Sequence, residues 1–129
     1  MTHLNYYDNF HEKVQKIKIN VLEFLILQKK QGKKVIAYGA AAKGNTLLNY
    51  CGIKSDLITF VVDKAPSKRG KFLPGSHIPV VDDKAIKQYQ PDYILILPWN
   101  IQEEIIEQLD YIRKWRGKFV IPIPKFKIV

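Results

Sequence analysis

Fifteen residues, Lys34 to Leu48, constrain this chain more than any other stretch. They open on a short apolar run, Val35-Ile36-Ala37-Tyr38, which reads as a buried strand. The run breaks at Gly39, crosses three alanines and Lys43, and meets Gly44. It is then expected to enter a helix at Asn45 or Thr46, both good N-cap types. Strand, small-residue loop and helix start are how a doubly wound sheet builds an anion site. The small side chains let a ligand approach the backbone, and N–H groups at the helix start point at negative charge.

The residues before this stretch read as one long helix, Tyr6 to Gln31. Asp8 is its expected N-cap. Phe10, Val14, Ile17, Val21 and Leu25 fall on one helical face, which Leu22, Phe24, Ile26 and Leu27 widen. Lys29 and Lys30 suit the C-terminal dipole, and Gly32 is a natural stop. The residues after it alternate strand and helix. The second strand is expected over Leu57–Val62, with Asp63 just past its end. Lys64 to Gly75 holds two prolines, two glycines and four basic residues without periodicity, and reads as a loop. Ile78–Val81 is a short third strand that Pro79 marks as an edge. Asp82 or Asp83 caps a short helix to about Gln90. Tyr93–Leu97 is the fourth strand, closed by Pro98-Trp99-Asn100. A helix is expected from Ile101 to Arg116, stopped by Gly117. Phe119–Ile123 is a fifth strand, placed at the other edge because Pro122 cannot donate to a ladder.

This alternation predicts an α/β fold: a Rossmann-like three-layer sandwich around a five-stranded parallel sheet of order 3-2-1-4-5. Residues 1–32 form an N-terminal helix packing on or leading into the domain, and residues 33–129 form the Rossmann-like domain. The switch point lies between the first and fourth strands, where three turns meet.

The chain carries 21 basic and 12 acidic residues, a net charge of +9, which favours an anionic partner. The charge is spread, with no long basic run and no nucleic-acid motif, so nucleic acid is disfavoured. No apolar run nears the ~20 residues of a membrane span. The first residues do not resemble a signal peptide, and Cys51 is the sole cysteine, which fits a reducing cytoplasm. His3, His11 and His77 lack metal-ligand spacing.

The first loop is not a Walker A loop. Lys43 precedes the second glycine instead of following it, and Asn45 stands where that lysine belongs. The dinucleotide pattern fails too, with Ala41 in the place of its middle glycine. An anion or nucleotide site on the backbone of Ala42, Lys43, Gly44, Asn45 and Thr46, next to Tyr38 and Gly39, competes with a tight turn bearing a solvated lysine. Asp63 can take a sugar hydroxyl pair or simply form a turn. Lys64 and Lys68, with Arg69 and Lys71, can close on a diphosphate or remain solvated. Pro98, Trp99 and Asn100 place an aromatic ring and an amide at the end of the fourth strand. They can stack on and read a ligand, or cap the core and the next helix. No nucleophile elbow or triad is present.

Three stretches together carry a family resemblance. They are Tyr38 to Asn49, then Val61 to Lys68 with Leu73 to Val80, then Asp92 to Asn100. They resemble the C-terminal domain of the SAM-dependent C-methyltransferases that act on nucleotide-linked keto-deoxysugars, across nearly the whole chain. The resemblance implies a Rossmann-like domain that helps hold the sugar nucleotide. Full-length members of the family also have a zinc-binding and a SAM-binding domain. Neither matches any stretch of this sequence, so no cofactor is expected here, and SAM and zinc belong to the missing domains. The expected ligand is a nucleotide sugar or similar phosphorylated molecule. The expected catalytic partner is a separate SAM-binding methyltransferase subunit, a homo-oligomer also being compatible. The alternatives are an NAD- or CoA-type regulatory module and a minimal enzyme on a nucleotide sugar.

Overall fold

A computed structural model describes residues 2–39, 42–64, 70–123 and 125–129, with side chains of residues 2–11, 42 and 43 outside that description. The first element is a 29-residue helix, α1 (Thr2–Lys30). It begins four residues before Tyr6, so Asp8 lies inside it and does not cap it. It ends as expected: Lys29 and Lys30 fill its last turn and Gly32 takes a left-handed φ of 71°.

Strands and helices then alternate: β1 (Val35–Tyr38), α2 (Ala42–Cys51), β2 (Val61–Val62), β3 (Val80–Val81), α3 (Lys84–Tyr89), β4 (Tyr93–Ile96), α4 (Gln102–Gln108), β5 (Lys118–Ile121) and β6 (Lys127–Ile128). The sheet order is β3-β2-β1-β4-β5-β6. The first five strands pair in parallel, as the alternation predicts, and the expected 3-2-1-4-5 order holds. A sixth strand extends it, antiparallel to β5, pairing Val120 with Ile128 and Ile121 with Lys127. The fifth strand is therefore not an edge. Pro122 falls one residue past β5, where no ladder donor is required of it.

The pleat sorts side chains onto two faces. Val35, Ala37, Val61, Leu95 and Val120 face α1 and α2, meeting Val21, Phe24, Leu25, Leu47, Leu48 and Cys51. Ile36, Tyr38, Val62, Ile94, Ile96, Phe119 and Ile121 face the other way, against Ile86, Ile105, Leu109 and Ile112. Two cores with a sheet between them make the Rossmann-like sandwich. On α1, Val21, Phe24 and Leu25 are buried, and Phe24 sets its ring edge-on to Tyr93 at 4.9 Å. Ile26 and Leu27 are 45% and 50% exposed, so they do not widen that face. At 100° per residue they have turned away from it.

Two more elements differ from expectation. Only Val61–Val62 of the second strand joins the ladder, although Thr59 still donates to the Val35 carbonyl and Phe60 accepts from Ala37. The helix after β4 is broken into a 3-10 turn (Trp99–Ile101), α4, and a second 3-10 stretch (Asp110–Trp115). No helix among the described residues is long and apolar enough to cross a membrane.

Candidate functional site

The ends of β1, β2 and β4 stand side by side, because Tyr38 is in register with both Val62 and Ile96. Just past them, the Gly39 N–H donates to the Val62 carbonyl at 2.8 Å. The Asp63 N–H donates to Val81 and the Leu97 N–H to Tyr38. Gly39, Asp63 and Leu97–Pro98 are thus next to one another at the switch point. Gly39 has a φ of 96°, and a β-carbon there would lie 2.5 Å from Pro98 Cδ. Only glycine meets both demands.

Helix α2 starts at Ala42. Asn45 and Thr46 therefore lie inside its first turns and are not N-caps. Gly44 is buried, and a β-carbon on it would stand 2.6 Å from Leu97 Cβ. The small-residue loop is thus explained by close approach of the α2 backbone to the end of β4. Asn45 is half-buried, and its Oδ1 is buried without a hydrogen-bond partner. A buried acceptor left alone costs about 1–3 kcal/mol. An incoming N–H or O–H would recover that.

Tyr38 is buried on the α3/α4 face. Burial first, then the charges of Asp63 and Asp83, push its phenol above the ordinary range. Tyr111 shifts the same way, from burial and then from Asp83 and Tyr38. The two phenols and two carboxylates thus share one electrostatic neighbourhood behind β1. The approach of Asp83 and Tyr111 to Tyr38 had no signal in the sequence, since they come from different helical segments.

Pro98 and Trp99 are half-buried, and the Trp99 indole packs against both cores. Asn100 is exposed and caps nothing: Ile101 holds the N-cap position of α4 without a side-chain cap bond. Asn100 instead lines an open cavity of about 360 Å³ with Ile101, Gln102, Glu103, Glu104 and Lys127. Asp63 is half-buried and Lys64 exposed, and both make contacts. Lys68 and Arg69, like the side chains of Ala42 and Lys43, lie outside the described residues. The structure therefore brings Tyr38, Gly39, Gly44, Asp63 and Pro98 together and sets Asn100 to one side. Leu97 and Lys127 are neighbours that pattern reading did not single out. No cluster of three or more His, Cys, Asp or Glu among the described residues is placed to hold a metal.

Residues 1–124 match the family described as C-methyltransferase C-terminal domain. The chain is also 34% identical over 123 residues to the C-methyltransferase NovU of Streptomyces niveus. That alignment takes in 95% of this chain and 29% of NovU, so the chain spans less than a third of that relative's length.

Proposed function

The chain belongs to the C-methyltransferase C-terminal domain family, and we propose that it holds a nucleotide-linked sugar, or a similar phosphorylated ligand, for methyl transfer by a separate SAM-binding unit. The observation that carries this reading is the orphaned Asn45 Oδ1 in the first turns of α2. It is an acceptor in need of a donor, at the helix end whose N–H groups favour an anion. A nucleotide sugar offers both, with hydroxyls to donate and a diphosphate to accept. Asp63 at the end of β2 adds a carboxylate for a hydroxyl pair, and Lys43 and Lys64 add cations for the diphosphate. Tyr38, Gly39, Gly44 and Thr46 line or shape the same approach. The methyl transfer in this reading rests on the relative's name, C-methyltransferase, and the separate SAM-binding unit on the family resemblance alone.

Calorimetry with a dTDP-sugar, NAD and acetyl-CoA tests the ligand class. The dTDP-sugar should bind most tightly, and a clear preference for NAD or CoA would replace this reading with a nucleotide-regulated module. Lys43→Ala should weaken binding by one charge-assisted contact, about 1.5–3 kcal/mol or roughly ten- to a hundredfold. Asn45→Ala should weaken binding without lowering stability, because it removes a polar atom that has no partner in the ligand-free fold. Lys114→Ala, distant from the switch point, should change little. Wild-type affinity in both Lys43→Ala and Asn45→Ala would make the loop a structural turn.

A further inference from the structure

The opposite end of the sheet carries a second concavity. Lys33 before β1, Asp92 and Tyr93 at the start of β4, and Trp115, Arg116 and Lys118 around the start of β5 line an open cavity of about 330 Å³. The parallel strands all start here, so a strand length, about 13 Å for four residues, separates this cavity from Gly39 and Asp63.

Its charge is uncompensated. Three cations face one carboxylate, and Asp92 already spends Oδ2 accepting the Lys34 backbone N–H at 2.8 Å. Lys33, Arg116 and Lys118 form no ion pair with an acidic side chain among the described residues. Lys34, by contrast, is used by the fold: its ammonium donates to the Tyr89 carbonyl at 3.0 Å and lies 4.9 Å from that ring's centre.

Its aromatic walls are fixed. The Trp115 indole N–H donates to the Pro91 carbonyl at 2.9 Å, and the ring meets Tyr111 at 6.0 Å in a T-shaped pair. Tyr93 is held edge-on to Phe24. A ring entering the cavity finds surfaces already oriented, which lowers the entropy cost of binding.

Arg116 is the third sign. It holds a left-handed φ of 66°, the position that ends a helical segment and that glycine adopts most readily. The glycine beside it serves another need, since a β-carbon on Gly117 would come 3.0 Å from Ile112 Cβ. An arginine thus holds a left-handed helix-ending position, as Gln90 does after α3, and its guanidinium borders the cavity.

We propose that this cavity binds a planar ring carrying a phosphate dianion, a ligand of mononucleotide type. The Trp115 indole takes the ring, and Arg116, with Lys33 and Lys118, takes the phosphate. Arginine suits that role because its planar fork meets two phosphate oxygens at once. The two aromatic walls are what separate this ligand from a bare anion, for which they would be idle.

NMR titration of the whole chain tests it, because its two tryptophans mark opposite ends of the sheet. AMP, ribose 5-phosphate and inorganic phosphate are the probes. AMP should move the Trp115 indole N–H resonance and leave that of Trp99 in place, and the two ring-free probes should bind several-fold more weakly. Arg116→Gly keeps the left-handed backbone, so it should melt at or above the wild-type temperature while AMP affinity falls about tenfold or more. Lys118→Glu, exposed at the start of β5, should give a similar loss without touching the backbone. A still Trp115 resonance at millimolar AMP overturns the site, as does movement of Trp99 instead. Phosphate binding as tightly as AMP, or wild-type AMP affinity in either variant, overturns it too.

Discussion

A β-carbon on Gly44 would stand 2.6 Å from Leu97 Cβ, closer than packed carbons come, and a tight 3.1 Å from its Cδ1. Gly44→Ala should therefore destabilise the fold by about 1–3 kcal/mol through overpacking, although alanine is the better helix former. Paired with Leu97→Ala, part of that loss should return, and a double-mutant cycle in urea reads the coupling. Strict additivity of the two changes would remove the contact from the account. The sequence marks Gly44 as special, but its cause sits far along the chain at the end of β4 and has no local signature. Gly39 is more legible, because a strand-ending glycine is a familiar turn signal, and its φ of 96° agrees. Asn45 and Thr46 mislead for a related reason: both have capping side chains, yet the helix has already begun at Ala42. Cys51 carries a second prediction. Its thiol is buried under α2, and burial, only partly opposed by the charge of Lys18, pushes its pKa from 9.0 up to about 11. The folded state thus holds the proton more tightly than the unfolded one. That stability is intact below pH 9 and is lost as pH rises toward about 11. Denaturant melts should show Cys51→Ala to be less sensitive than wild type across this window, and the native thiol should resist alkylation at pH 8. Equal pH slopes for the two proteins would contradict the shift.

At the level of elements, long periodic runs were readable and short or interrupted ones were not. The first helix, the first and fourth strands and the parallel order follow from apolar runs and their spacing. Strand β6 is two exposed residues, Lys127 and Ile128, with no alternation to read. It forms because β5 offers an unpaired edge, so its existence depends on tertiary context. The break within the last helical region is also tertiary. Ile105, Leu109 and Ile112 keep helical spacing and are all buried, but the backbone tightens to 3-10 after Gln108. Phe119 and Val129 exchange two backbone hydrogen bonds, at 3.0 and 2.8 Å, and the Arg113 guanidinium donates to the Val129 carbonyl. Deleting residues 127–129 should bare the β5 edge, and a bare parallel edge is a template for another chain. Light scattering should then show concentration-dependent association in the shortened chain at low salt and more of it at high salt, where the net charge is screened. A shortened chain that associates no more than the unshortened one under both conditions would mean residues 127–129 protect nothing.

The whole molecule places two chemically distinct ends on one sheet. At one end glycines, an orphaned amide oxygen and the Tyr38 neighbourhood meet. At the other, cations and fixed aromatics surround a cavity. The net charge of +9 hints at anionic partners but does not say at which end they bind. That distinction requires knowing which residues share a cavity, and only the fold supplies it. Legibility of the site followed the same line: Gly39 and Asp63 flank the crevice because strand ends are predictable, whereas Asn100 turns aside because the 3-10 turn after β4 is not. The length of α1 has one further consequence. Among the described side chains, its grip on the core starts at Ile17, fifteen residues after Thr2. At 1.5 Å per residue Thr2 stands about 22 Å from that grip. A tilt of about 5° at the grip swings that point through roughly 2 Å, with no bend in the helix itself. The edge-on contact of Phe24 with Tyr93 lies within the grip, so a small repacking of those two rings changes where the helix aims.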